Sequence, residues 1–275
     1  MIKDVMVHLE GTAADEARLA AANDIADVFH SHVIGLFLNV MPVLIVPEDG
    51  IGSMQSAELL SKARTAGNKV EEKLNERLKR LQKPVELRRF DILSDTAGAV
   101  AARDARGADT FVALRPNGRS KESEHLVEST LFGSGRHLFL LPARKSNKAT
   151  FDRILVAWNG SRESARTLAE ALPYLHKAKE VTIVVVDEGS PAELQAVLGQ
   201  DAVNHLRDHG IAAVLHHTML RDDDIGATLI AEARRLEADL IVMGGYGHSR
   251  LREWLLDGVT YELLHKSFVP LLVAH

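Results

Sequence analysis

The chain has 275 residues, 46% hydrophobic and 26% charged, with a formal net charge of −5 and no cysteine. Length and balance fit a globular protein of two ordinary domains; the acidity argues against nucleic acid as a main partner, and the missing cysteine excludes disulfides, thiolate metal sites and cysteine nucleophiles. No apolar run reaches the ~20 residues that span a bilayer, and Met1-Ile2-Lys3-Asp4 does not open a basic-then-apolar leader, so the reading is a cytoplasmic protein without a membrane partner.

In chain order, the first strand reads Val5-Met6-Val7-His8-Leu9 and runs through Glu10-Gly11-Thr12 into a helix at Glu16-Ala17-Arg18. A second strand, Val33 to Val40, leads to the segment Met41 to Gly50, read as a packed loop. The helical stretch 57–82 interleaves Lys and Arg with Glu and reads as a solvated amphipathic face, not a nucleic-acid stripe. Gly98-Ala99 and Ala105-Arg106 mark a helix that passes through Ala108-Asp109 into a strand ending at Leu114-Arg115-Pro116-Asn117-Gly118-Arg119. Leu138 to Leu141 closes the half, and residues 142–150, polar and basic, form a linker.

From Ile154 the same order returns. Ile154-Leu155-Val156-Ala157-Trp158 runs through Asn159-Gly160-Ser161 into Ser164-Ala165-Arg166, and Val181 to Val186 is the second strand. Gly226-Ala227, Ala233-Arg234 and Ala238-Asp239 repeat the marks of the first half, and Leu271 to Ala274 closes the chain. The unit is a tandem duplication. Strands alternating with helical patterns imply a mostly parallel sheet with helices on both faces. The expected fold is therefore α/β: two tandem doubly wound parallel-sheet (Rossmann-like) domains, over 1–143 and 150–275. Both final strands are apolar edges, and exposed edges find partners, so the halves are expected to pack as a pseudo-dimer within one chain. A homodimer of chains stays open.

The chemistry is concentrated in the last quarter. The apolar run Ile241-Val242-Met243 stops at Gly244-Gly245-Tyr246-Gly247-His248-Ser249-Arg250, and Gly258-Val259-Thr260 follows. Glycine lets the backbone approach a ligand and turn its N–H groups on an anion, and the helix expected after Gly258 offers its N-terminus to phosphate. In a doubly wound sheet the ligand crevice lies where strand order reverses, which sets Asn159-Gly160-Ser161 opposite Gly244 to Ser249. The first half has Pro116 where the glycine cluster belongs, and proline removes an amide donor; one site per chain is expected. There is no GxxxxGK[ST], and Gly245-x-Gly247-x-x-Arg250 lacks a third glycine and follows a late strand, which disfavours the P-loop and dinucleotide classes.

The tandem order, the loop after the first strand and the Gly-x-x-Gly stretch resemble the universal stress protein family in its two-domain form. The family's ATP signature is Gly-x2-Gly-x9-Gly-[Ser/Thr], and the resemblance makes Gly244 and Gly247 its first two glycines. Asp257 stands at the third-glycine position, with Gly258 one residue on and Thr260 as the nearest hydroxyl; an acid there repels a triphosphate unless a cation intervenes. Asn159 replaces the aspartate of many members. The resemblance implies one adenine nucleotide in the second half, with ATP first, AMP or another adenine nucleotide as alternatives, and Mg2+ as an optional companion. Asn159, Gly160, Ser161, Gly244, Gly247, His248, Ser249, Gly258, Val259 and Thr260 would surround it, and the backbone at Val186 would meet the adenine edge.

The remaining candidates read as structure. His205 and His209 lie one helical turn apart, but zinc wants at least three protein ligands, so no metal site is assigned. Asp222-Asp223-Asp224 could accompany magnesium, yet carboxylates before a helix usually cap it, and Asp224 fits the N-cap of a helix from Ile225. Ser161, Ser249 and Thr260 have no GxSxG elbow and no adjacent base, so they read as phosphate or ribose donors and no catalytic residue is assigned. The expected function is a stress-response signalling module that binds an adenine nucleotide. The rivals are an ATP-using enzyme of the same fold, slowly hydrolytic or adenylating, and a nucleotide-free dimerising scaffold.

Overall fold

The computed structural model describes residues 1–43, 53–116, 122–142, 150–189, 197–245 and 258–275. The chain divides into two compact units: an N-terminal unit of Ile2–Val112 with Glu124–Ser134, and a C-terminal unit of Met1, Ala113–Ser123 and Gly135–His275.

The first repeat holds β1 (Asp4–Leu9), α1 (Asp15–Phe29), β2 (His32–Val40), α2 (Ser53–Lys79), β3 (Val85–Ile92), α3 (Ala97–Ala105), β4 (Thr110–Leu114), α4 (Glu124–Gly133) and β5 (His137–Leu141). The second holds β6 (Arg153–Ala157), α5 (Arg162–Leu175), β7 (Glu180–Asp187), α6 (Gln200–Asp208), β8 (Val214–Met219), α7 (Ile225–Arg235), β9 (Leu240–Gly244), α8 (Val259–Lys266) and β10 (Leu271–Ala274). The alternation read from the sequence is therefore present in both repeats, and the fold is α/β with mostly parallel strands.

In the N-terminal unit the strands run parallel in the order β3-β2-β1-β4. Val5, Met6, Val7 and Leu9 of β1 are wholly buried, as a central strand covered on both faces must be. In the C-terminal unit the order is β5-β10-β9-β6-β7-β8, parallel except where β5 meets β10. The two apolar closing strands thus pair with each other, antiparallel, with Leu271 opposite Leu140 and Val273 opposite Leu138. Beside them Phe139 stacks on Tyr174 of α5 at 6.0 Å, and Phe151 meets the Tyr174 ring edge-on at 5.1 Å. Full burial of rings this size contributes roughly 1.5–3 kcal/mol each.

The residue pairs that betrayed the duplication each have a physical cause. Asp109 and Asp239 stand at matching places and do the same work: Asp109 accepts from the amides of Lys3 and Asp4 at 2.6 and 3.1 Å, and Asp239 from those of Asp152 and Arg153 at 2.9 and 3.2 Å. Each carboxylate ties the start of the repeat's first strand to the start of its fourth. Gly98 and Gly226 let α3 meet α4 and α7 meet α8, since a Cβ there would lie 2.4 Å from Ser129 Oγ and from Glu262 Cβ respectively. Asp224 caps α7 as expected, its Oδ1 accepting from the Ala227 amide at 2.8 Å.

Candidate functional site

β6 is central in the C-terminal unit; the chain moves from it to β7 and β8 on one side and later to β9 and β10 on the other. The strand order reverses between β6 and β9, and a cavity of about 420 Å3 opens at the carboxyl ends of these strands. Asn159, Ser161, Val186, Gly244, Gly258, Val259 and Thr260 all line it. Gly160 stands between two of them, with the left-handed φ of +72° that turns the loop. Gly247, His248 and Ser249 lie outside the described residues, as do Arg250 and Asp257.

The loop after β6 is built by its own side chains. Asn159 Oδ1 accepts from the Ser161 amide at 3.1 Å, and Ser161 Oγ caps α5 by accepting from the Ser164 amide at 3.2 Å. Both residues read from the sequence as ligand contacts thus also fix the turn, which presents the start of α5 to the cavity. Opposite, Gly258 takes φ +126° and ψ 172°, a region open only to glycine, and its carbonyl accepts the Glu262 amide at 3.0 Å to begin α8. The positive ends of two helices therefore meet at one cavity.

Gly244 has a different reason from the one its sequence context suggests. A Cβ on it would stand 2.7 Å from Glu163 C and Ser164 N. Its smallness lets the end of β9 touch the first turn of α5. Next to it, the wholly buried Thr167 ties α5 to β10: its hydroxyl donates to the Glu163 carbonyl at 2.8 Å and accepts from the Ala274 amide at 3.3 Å. His275 Nδ1 reaches the Gly245 carbonyl at 3.0 Å.

The walls are apolar on one side: Val184 and Val186 of β7, Met243 of β9, and Ile225 and Leu229 of α7. Glu163 and Glu188 also line the cavity. Burial pushes the Glu163 carboxyl up, but its hydrogen bond from Arg162, its own N–H and the charges of Arg162 and His275 outweigh that and hold it below the ordinary carboxylate range. The arrangement suits a flat apolar group against β7 and an anion near the helix starts, with carboxylates close by.

At the matching place in the first repeat stands Arg115. Arg115, just after β4, is 2% exposed and donates to the Leu263 and Ser267 carbonyls at the carboxyl end of α8, at 2.7 and 2.5 Å. Burial pushes its guanidinium down to about 10. The sequence reading places the obstacle to a first-repeat site at Pro116 and gives Arg115 no role. It misses Asp15 as well, although Asp15 and Arg18 fall where the second repeat has Ser164 and Thr167, and that exchange is the available signal. Elsewhere His205 and His209 meet edge to face at 4.6 Å. Among the described residues no group of three or more His, Asp or Glu side chains is placed to hold a metal.

The universal stress protein family matches residues 150–275, the whole of the second repeat. The second half of this chain is a universal stress protein domain. Solved structures extend the likeness in fold to almost the full length. A universal stress protein from Archaeoglobus fulgidus DSM 4304 is 16% identical with a TM-score of 0.75, covering 98% of this chain and 95% of that one. A putative universal stress protein from Pseudomonas aeruginosa UCBPP-PA14 is 17% identical with a TM-score of 0.61, covering 99% and 93%. Identities this low speak for the fold alone. No curated protein matches the chain. No described helix is long and apolar enough to cross a membrane.

Proposed function

We propose that this protein is a universal stress protein that binds one adenine nucleotide in its second repeat and acts as a cytoplasmic stress-response signalling module. The observation that carries the reading is the convergence of Asn159–Ser161, Gly244 and Gly258–Thr260 on one cavity at the strand-order reversal. Its volume falls within the roughly 300–1,000 Å3 usual for small-molecule pockets. In this reading the adenine lies against Val184, Val186 and Met243, with the backbone at Val186 on its edge. The ribose and phosphates extend toward Ser161, Gly258, Val259 and Thr260, and Gly247, His248 and Ser249 complete the site. The functional halves of the chain are 1–143 and 150–275, and only the second is loaded.

ATP is the first candidate. Glu163 and Glu188 in the wall favour either a phosphate chain that carries Mg2+ or a nucleotide with fewer phosphates, because like charges at close range disfavour one another. Mass spectrometry of the ligand that co-purifies with the native protein, followed by calorimetric titration of ATP, ATP with Mg2+ and AMP, tests this. The expected result is one site per chain. Two equivalent sites, or heat from none of the three, would remove the reading. Incubation with ATP separates the rival: retention without ADP release marks a binding module, and multiple turnovers mark an ATP-using enzyme.

A further inference from the structure

The two repeats contain the same loop with two exchanged residues. Glu10-Gly11-Thr12 precedes Asp15 and Arg18, and Asn159-Gly160-Ser161 precedes Ser164 and Thr167. In the second repeat the loop faces a cavity. In the first, the amides of Glu10, Gly11 and Thr12 all donate to the carboxylate of Asp15, at 3.0, 2.8 and 3.1 Å. Asp15 is wholly buried. Its charge is met by Arg18, also wholly buried, whose Nη1 lies 2.8 Å from Oδ1, and by Arg77 of α2, whose Nη1 lies 3.2 Å from Oδ2. Arg77 also donates to the Thr12 carbonyl at 3.1 Å. Three successive backbone N–H groups and two guanidiniums around one pair of oxygens form the donor set that holds a free oxyanion elsewhere in proteins.

We propose that Asp15 is the first repeat's own ligand: an internal carboxylate that permanently occupies the oxyanion cradle of the first loop and shuts that copy of the site. The side chain arrives from the first turn of α1, so the cradle is filled by the fold itself. α2 seals it from outside, with Arg77 on the carboxylate and Val70 so close over Gly11 that a Cβ there would lie 2.4 Å from Val70 Cγ1. Ser164, at the matching place, has a hydroxyl that donates to the Ser161 carbonyl at 2.8 Å and brings no charge into the loop. An acid four residues after the glycine, with an arginine one turn later, closes the loop; a serine and a threonine leave it open. This inference concerns the first repeat's loop and does not depend on what the second repeat binds.

Chemical rescue tests it in the full-length protein. Asp15→Gly should lower the thermal midpoint by several degrees, and formate, acetate or inorganic phosphate should restore part of the loss saturably, where chloride at the same ionic strength does not. Adding Arg18→Met should abolish the recovery. A folded Asp15→Gly protein that responds to these anions no differently from chloride overturns the proposal. Should Asp15→Gly fail to fold, the wild-type protein decides by amide hydrogen exchange without added ligand. The Gly11 amide, held by the carboxylate, should exchange at least about 100-fold more slowly than the Gly160 amide, a protection of the size a persistent hydrogen bond gives. Equal exchange at the two glycines overturns the proposal.

Discussion

The position for a Cβ on Gly244 is 2.7 Å from the amide nitrogen of Ser164. The glycine that ends β9 is therefore fixed by contact with the helix that begins the opposite wall of the cavity. Strand end and helix start are parts of one packed junction, and both Gly244 and Ser164 line the cavity.

Gly244→Ala should push the first turn of α5 away from β9. Forcing one methyl into a packed contact costs about 1–3 kcal/mol. Urea denaturation should show a lower midpoint at unchanged slope, and the site should bind its nucleotide more weakly. An unaltered midpoint would mean that the α5 start yields freely.

Gly258→Ala separates conformation from crowding, because among the described residues nothing lies within 4 Å of the Cβ position. The effect comes from φ +126°, and forcing a residue with a side chain into such a region costs of order 1–3 kcal/mol. The helix α8 should lose its first turn before the rest of the unit unfolds. Exchange of the Glu262 amide, which donates to Gly258, reports that loss.

Arg115→Met should destabilise the C-terminal unit by about 3 kcal/mol, since two carbonyls at the end of α8 lose a charged donor. Calorimetric melting of the variant measures it. A shift no larger than that of an exposed arginine, such as Arg162→Met, would show that water replaces the guanidinium without cost.

Stability should fall in acid through Glu232. This carboxylate is 1% exposed. Burial pushes it up, but the hydrogen bond and charge of Arg235, the Thr218 hydroxyl and His216 outweigh burial and hold it below its ordinary value of 4.5. A depressed folded value means a contribution that is complete above 4.5 and is lost as pH falls through the lower, folded value. Glu232→Gln should be less stable at neutral pH, and its stability should decline less steeply below pH 4.5 than that of the wild type. Parallel curves for the two proteins would exclude Glu232 as a source of the acid limb.

Copying the first repeat into the second should silence the site. Ser164→Asp with Thr167→Arg places the closing pair in the open loop, and nucleotide binding by the folded variant should drop below detection in calorimetry. Retained affinity in the folded double variant would show that the loop amides after β6 are not part of the nucleotide site.

Much of the fold was legible because it rests on local rules. Continuous Val, Ile and Leu gave the buried strands, Asp224 gave the start of α7, and the ordered recurrence of Gly98/Gly226 and Asp109/Asp239 gave the duplication. Side-chain function within the loops was less legible. Asn159 and Ser161 were read only as ligand contacts, yet each also makes a short-range hydrogen bond that builds the turn. Gly244 reads in the sequence as room for a ligand, and its neighbour is the backbone of α5 at Glu163 and Ser164, distant in sequence.

Strand and helix order, the parallel α/β class and the repeat follow from the residues alone, because periodicity, caps and glycine loops act over a few residues; the same glycine loops carry the proposal that the site lies in the second half. The antiparallel pairing of the two closing strands, the hydrogen bonds of Arg115 to the end of α8 and the filling of the first loop by Asp15 emerge only from tertiary packing. These are contacts between distant segments or choices among competing donors, and they are settled by which buried polar group finds a partner once the elements have packed.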